Sequence, residues 1–319
     1  MKIVFMGTPE FACPALKALA SSRHSVQLVV TGMDSRGRRG METNPTPVRH
    51  TAESLGLPVM TVDSPKSPLL AERVQELSPD LIVVIAYKVL PQNLYSIPRL
   101  GAINVHASLL PKYRGAAPIN HAIMNGETET GLTAFLLQPS VDTGDVVGQR
   151  TVTIGENETF GELYNRLSSL SGAFLLETLE KMESGTAGSQ RQDESMASKA
   201  PKIFPADTVI QFTQSAERVR NFVRGLSPHP GATTEYRGSI IKILVCAHAT
   251  DSSRESDLPG TLVVHKNRLF VQCQDSALEI IQIKPSGKSI MDGSAFINGF
   301  HPQSGERFGA GSPTLKESR

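Results

Sequence analysis

The chain has 319 residues, 39% of them hydrophobic and 20% charged. That is enough to fill about two domain interiors, and it excludes a disordered tail, a collagen-like repeat and a coiled-coil rod. A formal net charge of +1 excludes the strongly basic profile of a chromatin or ribosomal protein, although residues 1–199 carry 18 Lys and Arg against 20 Asp and Glu while residues 200–319 carry 14 against 11.

To about residue 185, short apolar runs alternate with longer amphipathic stretches, the pattern of βα units around a parallel sheet. Residues 2–6 predict a strand; this apolar run stops at Gly7-Thr8-Pro9, too short for a signal-peptide core or a membrane span, so a cytoplasmic location is expected. Thr8 reads as an N-cap with Pro9 at the first position of a helix that runs to Ala20 and carries Phe11, Leu16 and Leu19 on one face. Residues 27–31 predict a second strand. Residues 32–47 are too rich in Gly, Pro and charge for regular structure and predict a long loop. A helix over 48–55, an extended piece over 58–61 and a helix opened by Ser67-Pro68, with Leu70, Val74 and Leu77 at helical spacing, follow. The unbroken apolar run 81–86 has the signature of a central strand buried on both faces. Next come a strand over 102–106, a helix over 116–124, strands over 132–138 and 146–154, and a helix opened by the capping box Thr159-x-x-Glu162, with Leu163, Leu167, Leu170, Phe174 and Leu175 along one stripe.

Small, polar and charged residues then dominate, so 190–205 reads as a linker between an α/β domain over 1–189 and a second domain over 206–319. The second domain has a different grammar: one helix over 215–226 and five short β-rich runs, at 233–236, 240–247, 260–264, 268–272 and 278–284. That pattern suggests a small β-barrel or sandwich. Cys13, Cys246 and Cys273 are far apart and form no C-x-x-C, which indicates neither a disulfide framework nor a cysteine-based zinc site.

The first strand and turn supply one glycine, Gly7, where a dinucleotide fingerprint needs G-x-G-x-x-G, and no Walker, H-E-x-x-H or G-x-S-x-G motif occurs. The densest polar cluster at a strand end is 104–115, Asn-Val-His-Ala-Ser-Leu-Leu-Pro-Lys-Tyr-Arg-Gly. Asn104 and His106, two apart on one strand, project to the same face, at the carboxyl end where open α/β sheets bind ligands. Taken alone, the pair is more often a satisfied Asn and His closing a strand, because fold by itself assigns no function. Asp142, in Val141-Asp142-Thr143-Gly144-Asp145, is by itself an ordinary turn residue. The remaining histidines, at 24, 50, 121, 229, 248, 265 and 301, have no ligand-like neighbours in sequence and read as surface or core residues.

Together, the 104–115 and 141–145 segments resemble the folate-dependent formyltransferase superfamily. The openings Phe5-Met6-Gly7-Thr8-Pro9-Glu10-Phe11 and Arg36-Gly37-Arg38-Arg39-Gly40, the run Pro45-Thr46-Pro47-Val48 and the step Gly115-Ala116-Ala117-Pro118-Ile119 narrow the resemblance to the branch that formylates methionyl-tRNA. It extends over essentially the whole chain and thins out after about residue 185. The resemblance implies a Rossmann-like, doubly wound and mostly parallel sheet followed by an OB-like barrel, with initiator methionyl-tRNA and 10-formyltetrahydrofolate as substrates and no metal. It implies Asn104, His106 and Asp142 as the catalytic trio, Ser108, Leu109, Leu110 and Pro111 as the folate-facing segment, and Arg36, Arg38 and Arg39 as contacts to tRNA. As a bare charge run, the arginine stretch is also what a solvated loop looks like. Relatives usually follow the Arg-Gly step with lysine, where this chain has Met41-Glu42. A monomer is expected. The nearest rival reading is a small-amine formyltransferase acting on glycinamide ribonucleotide or an amino-sugar nucleotide; a rival of another class is a nucleic-acid-binding module on a catalytically dead α/β scaffold, against which the presence of Asn104, His106 and Asp142 together argues. In the second domain, Arg237, Lys242, Lys266, Arg268, Lys284 and Lys288 could meet tRNA phosphates, or simply solubilise the surface.

Overall fold

The computed structural model describes residues 1–35, 44–249 and 258–309. Two compact units divide the chain: one comprises 1–118, 129–153 and 164–201, the other 119–128, 154–163 and 202–319.

In the first unit, β1 (Lys2–Gly7) leads through a 3-10 turn at Glu10–Ala12 into α1 (Cys13–Ala20) and then β2 (Ser25–Thr31). The helix therefore starts later than Thr8-Pro9 predicts. The Thr8 hydroxyl instead accepts from the Gly32 amide at 3.3 Å, and Pro14 takes the first-turn position. Thr46 caps α2 (Pro47–Ser54) by accepting from the Arg49 amide at 3.1 Å; β3 (Val59–Thr61), α3 (Pro68–Leu77), β4 (Leu81–Ile85), the short α4 (Gln92–Tyr95) and β5 (Ala102–His106) follow. Then come α5 (Pro118–Met124), which from residue 119 on belongs to the second unit, β6 (Glu129–Leu136), β7 (Val146–Thr153) and the long α6 (Phe160–Glu183), whose residues to 163 also belong to the second unit. The predicted capping box forms: the Thr159 amide donates to Glu162 Oε2 at 2.8 Å, and the Glu162 amide to Thr159 Oγ1 at 3.4 Å.

The seven strands lie in the order β3-β2-β1-β4-β5-β6-β7. β1 to β5 are parallel, whereas β6 runs against β5 and β7 against β6. Ile3, Val4, Phe5 and Met6, and all of Leu81–Ile85, are buried, so both faces of the central strands are covered, as a doubly wound sheet requires. Leu70 and Val74 of α3 and Leu94 and Tyr95 of α4 pack on the face that carries Val4, Met6, Ile82, Val84 and Ala102. Asn104 and His106 share that face with Ala102 by strand alternation.

The second unit holds α7 (Ala216–Leu226), capped by Ser215, and an antiparallel sheet of β8 (Ala232–Tyr236), β9 (Ser239–His248), β10 (Leu262–His265), β11 (Arg268–Gln272) and β12 (Ala277–Pro285), in the order β10-β11-β12-β9-β8. β13 (Met291–Asp292) pairs with β12 and leads into α8 (Gly293–Phe300). Val219, Val223 and Leu226 of α7 and Phe296 of α8 share one core with Ile241, Ile243, Leu278, Ile280 and Ile283. No ladder joins β10 to β8 among the described residues. Instead, residues 305–309 tie the two edges: Leu262 N donates to Glu306 O at 2.7 Å and Phe308 N to Gly260 O at 2.9 Å on one side, and Gly309 N to Glu235 O at 2.9 Å on the other. Bridging both edges in this way protects strands that would otherwise be open to pairing with another chain. The three cysteines are free and buried, and no helix among the described residues is long and apolar enough to cross a membrane.

Glu306 anchors this closure. It accepts from Tyr236 Oη at 2.6 Å, from the Gln303 amide at 2.9 Å and from both Nε and Nη2 of Arg237, and these bonds hold its carboxyl down to about 2 from an ordinary 4.5. A carboxylate held low in the folded state contributes stability that is complete above its unfolded pKa and is lost as pH falls through its folded one. Glu306→Gln should therefore melt below the parent protein at pH 7, with the gap closing as pH drops from about 4.5 toward 2. Thermal melts of both proteins across that range measure it; a gap independent of pH would show that the carboxylate charge contributes nothing.

Candidate active site

β5 ends on His106, 7% exposed. Its Nε2 lies 2.9 Å from the carbonyl oxygen of Tyr113. A carbonyl can only accept, so Nε2 carries the proton and Nδ1 is left as the nitrogen able to gain or lose one. Nδ1 is 3.8 Å from Asp142 Oδ2. Asp142, 9% exposed, sits at φ +56°, in the left-handed region that Asp tolerates better than most residues. Its Oδ2 also accepts from the Gly115 amide at 2.9 Å. The β6–β7 turn thus does place Asp142 as a turn residue, yet aims its carboxylate inward at the β5 histidine. Asn104 is two residues back on the same face and half-buried.

The loop after β5 is shaped by Thr133 of β6. Its Oγ1 donates to Ser108 O at 2.6 Å and accepts from the Leu110 amide at 3.1 Å and from Gln149 Nε2 at 3.0 Å, while the same Gln149 amide reaches Leu110 O at 3.1 Å. The Ser108 hydroxyl is spent within the loop, donating to Lys112 O at 2.7 Å. The Leu110–Pro111 bond is cis. Gly131, beside Thr133, has no room for a side chain: a Cβ there would stand 2.6 Å from Leu109 Cδ2 and 2.1 Å from Arg150 O.

Residues 190–200 lie along this loop and the Asp142 turn. Arg114 and Lys199 form a parallel bridge, and Val146 and Gln190 an antiparallel one. Tyr113 N donates to Ser198 Oγ at 2.9 Å, Arg114 N to Ser198 O at 2.9 Å and Ala200 N to Arg114 O at 2.7 Å. The Arg114 guanidinium donates to Gln192 Oε1 and, bidentately, to Glu194; the hydrogen bonds with Glu194 raise the Arg114 pKa and lower that of Glu194.

At the end of β4, Tyr87 packs against the core shared by α3 and α4, its hydroxyl buried without a partner, and burial pushes its pKa up to about 12. Sequence reading did not single out Thr133, Gln149, Gln192 or Tyr87, since each is an unremarkable polar residue in its own segment. Arg36, Arg38 and Arg39, with Met41 and Glu42, lie outside the described residues. Among the basic residues of the second unit, Arg237 is paired with Glu306, Lys242 donates to Pro230 O at 2.6 Å and Arg268 forks onto Glu279, whereas Lys266, Lys284 and Lys288 are exposed. His24 is buried 3.3 Å from the N-terminal amine, and His248 pairs with Glu217 at 2.7 Å. Among the described residues, no group of three or more His, Cys, Asp or Glu is placed to hold a metal ion.

Residues 1–179 match the family model described as formyl transferase, and residues 202–301 the one described as formyl transferase, C-terminal domain, so the class of protein that this fold defines is a formyl transferase. A methionyl-tRNA formyltransferase of Chlorobium luteolum is 45% identical over 307 residues, covering 95% of this chain and 98% of its own length. One from Geobacter metallireducens is 39% identical over 97% of this chain and 99% of its own length. The chain belongs to the methionyl-tRNA formyltransferase family. Among solved structures, HypX from Aquifex aeolicus in complex with tetrahydrofolic acid superposes with a TM-score of 0.62 at 18% identity, over 96% of this chain and 48% of HypX. The sugar 3N-formyl transferase WlaRD gives 0.64 at 16%, over 91% of this chain and 99% of WlaRD. At those identities the likeness is one of fold.

Thr133→Val keeps the shape but removes one donor and two acceptors, and leaves the buried Leu110 amide without its partner. It should cost about 1–3 kcal/mol. Urea unfolding of the two proteins measures this, and a difference within error would mean that the loop holds its shape without Thr133.

Proposed function

We propose that the chain moves the formyl group from N10 of 10-formyltetrahydrofolate to the α-amino group of initiator methionyl-tRNA, with Asn104, His106 and Asp142 as the reacting machinery. The inward-facing carboxylate of Asp142 beside His106 Nδ1 is the observation that carries this reading. Attack of the amine on the formyl carbon makes a tetrahedral species with an oxyanion; the amine must then lose a proton and N10 gain one, so that the oxyanion re-forms the carbonyl as the bond from the formyl carbon to N10 breaks and tetrahydrofolate leaves. Asn104 can donate to the oxyanion without changing charge. His106, with Nε2 engaged by Tyr113, has Nδ1 for accepting the amine proton and returning it toward N10. Asp142, with Oδ2 3.8 Å from Nδ1, orients the ring for that exchange. The folate carries the activated carbon, and the segment Ser108-Leu109-Leu110-Pro111, braced by Thr133 and Gln149, is the surface assigned to it. The product serves translation initiation, which fits a cytoplasmic location.

Binding of tRNA is assigned to Arg36, Arg38 and Arg39 and to the second unit, over 206–319 beyond a connecting stretch at 190–205. The family and the OB-like character of the C-terminal sheet support this, as does the net positive charge of that half. Since Arg237, Lys242 and Arg268 are occupied internally, Lys266, Lys284 and Lys288 are the better candidates there for phosphate contacts.

His106→Ala and Asn104→Ala should each lower the rate of formyl transfer at least about a hundredfold, the scale for losing a general base or an oxyanion donor, while formyl-folate binding by calorimetry persists. Near-normal turnover in both would remove the catalytic assignment.

Arg39→Ala should raise KM for methionyl-tRNA and flatten the salt dependence of tRNA binding by about one phosphate contact, leaving folate affinity alone. The contrast is read from tRNA titrations at several salt concentrations; identical slopes would make this arginine a solvated loop residue.

A further inference from the structure

We infer that Gln192 is a positioning residue for Asp142, the clamp that holds the β6–β7 turn where its carboxylate meets His106. The inference rests on the reading of Asp142 as partner of His106. Gln192 is 6% exposed, an uncommon state for a side-chain amide unless its hydrogen bonds are made. They are: Nε2 donates to Asp142 O at 2.9 Å and to Gly144 O at 2.7 Å, and Oε1 accepts from Arg114 Nε at 3.1 Å and Nη2 at 2.7 Å. The amide can sit only one way round, since a guanidinium has nothing but donors and the two carbonyls nothing but acceptors.

The turn needs such a clamp. Asp142 is at φ +56°, outside the broad backbone basins, and the chain approaches itself so closely that a Cβ on Gly144 would stand 1.6 Å from Leu136 O. Gln192 grips both carbonyls flanking Thr143. Its other end is fixed through Arg114, whose backbone is bonded to Ser198 and Ala200 and whose neighbour Gly115 donates to Asp142 Oδ2. One side chain thus ties the loop that follows His106 to the turn that supplies Asp142, and both polar ends of the amide are required.

Gln192→Ala removes the clamp, whereas Gln192→Glu keeps an acceptor for Arg114 but sets carboxylate oxygens against the two carbonyls. Both should shift the Gly115 amide resonance in 15N–1H spectra, because the carboxylate that it donates to has moved, with the remaining amide dispersion kept as the sign of a folded chain. Both should lower kcat by about tenfold to a hundredfold, the scale for misplacing a reacting group by an ångström, with KM for formyl-folate little changed. In an Asp142→Ala background, adding Gln192→Ala should cost nothing more. An unmoved Gly115 resonance in both variants overturns the inference, as does a loss of equal size with and without Asp142, which marks a general structural role. Rescue by Gln192→Glu also overturns it, since pairing with Arg114 would then suffice. A shifted resonance with full activity, in Gln192→Ala and in Asp142→Ala alike, leaves the clamp on the turn standing and instead sinks the catalytic reading of Asp142.

Discussion

The site is organised around the hydrogen bond from His106 Nε2 to the Tyr113 carbonyl. It commits one ring nitrogen to the backbone, so the other must face the inside of the site. For that carbonyl to arrive, the chain must turn back within seven residues of the end of β5, which it does with Tyr113 at φ +62°; two residues further on, Gly115 is at φ +130°. A side chain at 115 would also meet Ala200 O at 2.4 Å. The geometry of the histidine is therefore inseparable from the segment around Ala200 that lies against this loop.

The direction of the strands explains where the partner comes from. β5 is the last parallel strand; β6 runs back beside it, pairing Thr133 with His106 and Leu136 with Ile103. The chain therefore leaves β6 at the wrong end of β5 to reach His106, and must come back through an irregular turn before β7 begins. Asp142 lies on that return path. A regular hairpin would pair its residues strand to strand and send their side chains to fixed faces; an irregular turn is free to aim one carboxylate inward, at the cost of a left-handed residue and a glycine that nothing can replace.

Much of this was legible in the sequence. The unbroken run at 81–86, the alternation of βα units, the Thr159–Glu162 box and the helical run at 215–226 each report a local physical preference, and local preferences survive into the fold. α8 was missed because two glycines interrupt its apolar pattern, although Asp292 caps it through the Ala295 amide. The start of β6 was missed because Glu129-Thr130-Gly131 carries little strand propensity and owes its place to pairing with Thr151, Val152 and Thr153. Residues 190–200 have the composition of a connector, yet their backbone and the side chains of Gln192, Glu194 and Ser198 bond to residues 111–117 and 142–146, which no pattern within the segment reports. Asn104 and His106 could be placed on one face by counting. The approach of Asp142, nearly forty residues away, could not.

That the turn is held by an amide and not by a charge follows from what Asp142 faces. A lysine or arginine at position 192 could also donate to the two carbonyls, but it would set a second cation near the carboxylate, in competition with His106 for the same oxygens, and it could not accept from Arg114. An aspartate or glutamate there would satisfy Arg114 yet repel both the carbonyls and the carboxylate. Glutamine donates and accepts from one rigid group without net charge, so the Asp142 carboxylate keeps its two neighbours, the Gly115 amide and the His106 ring. Glu194 completes the arrangement from the solvent side, where it takes up the Arg114 guanidinium through a bidentate pair.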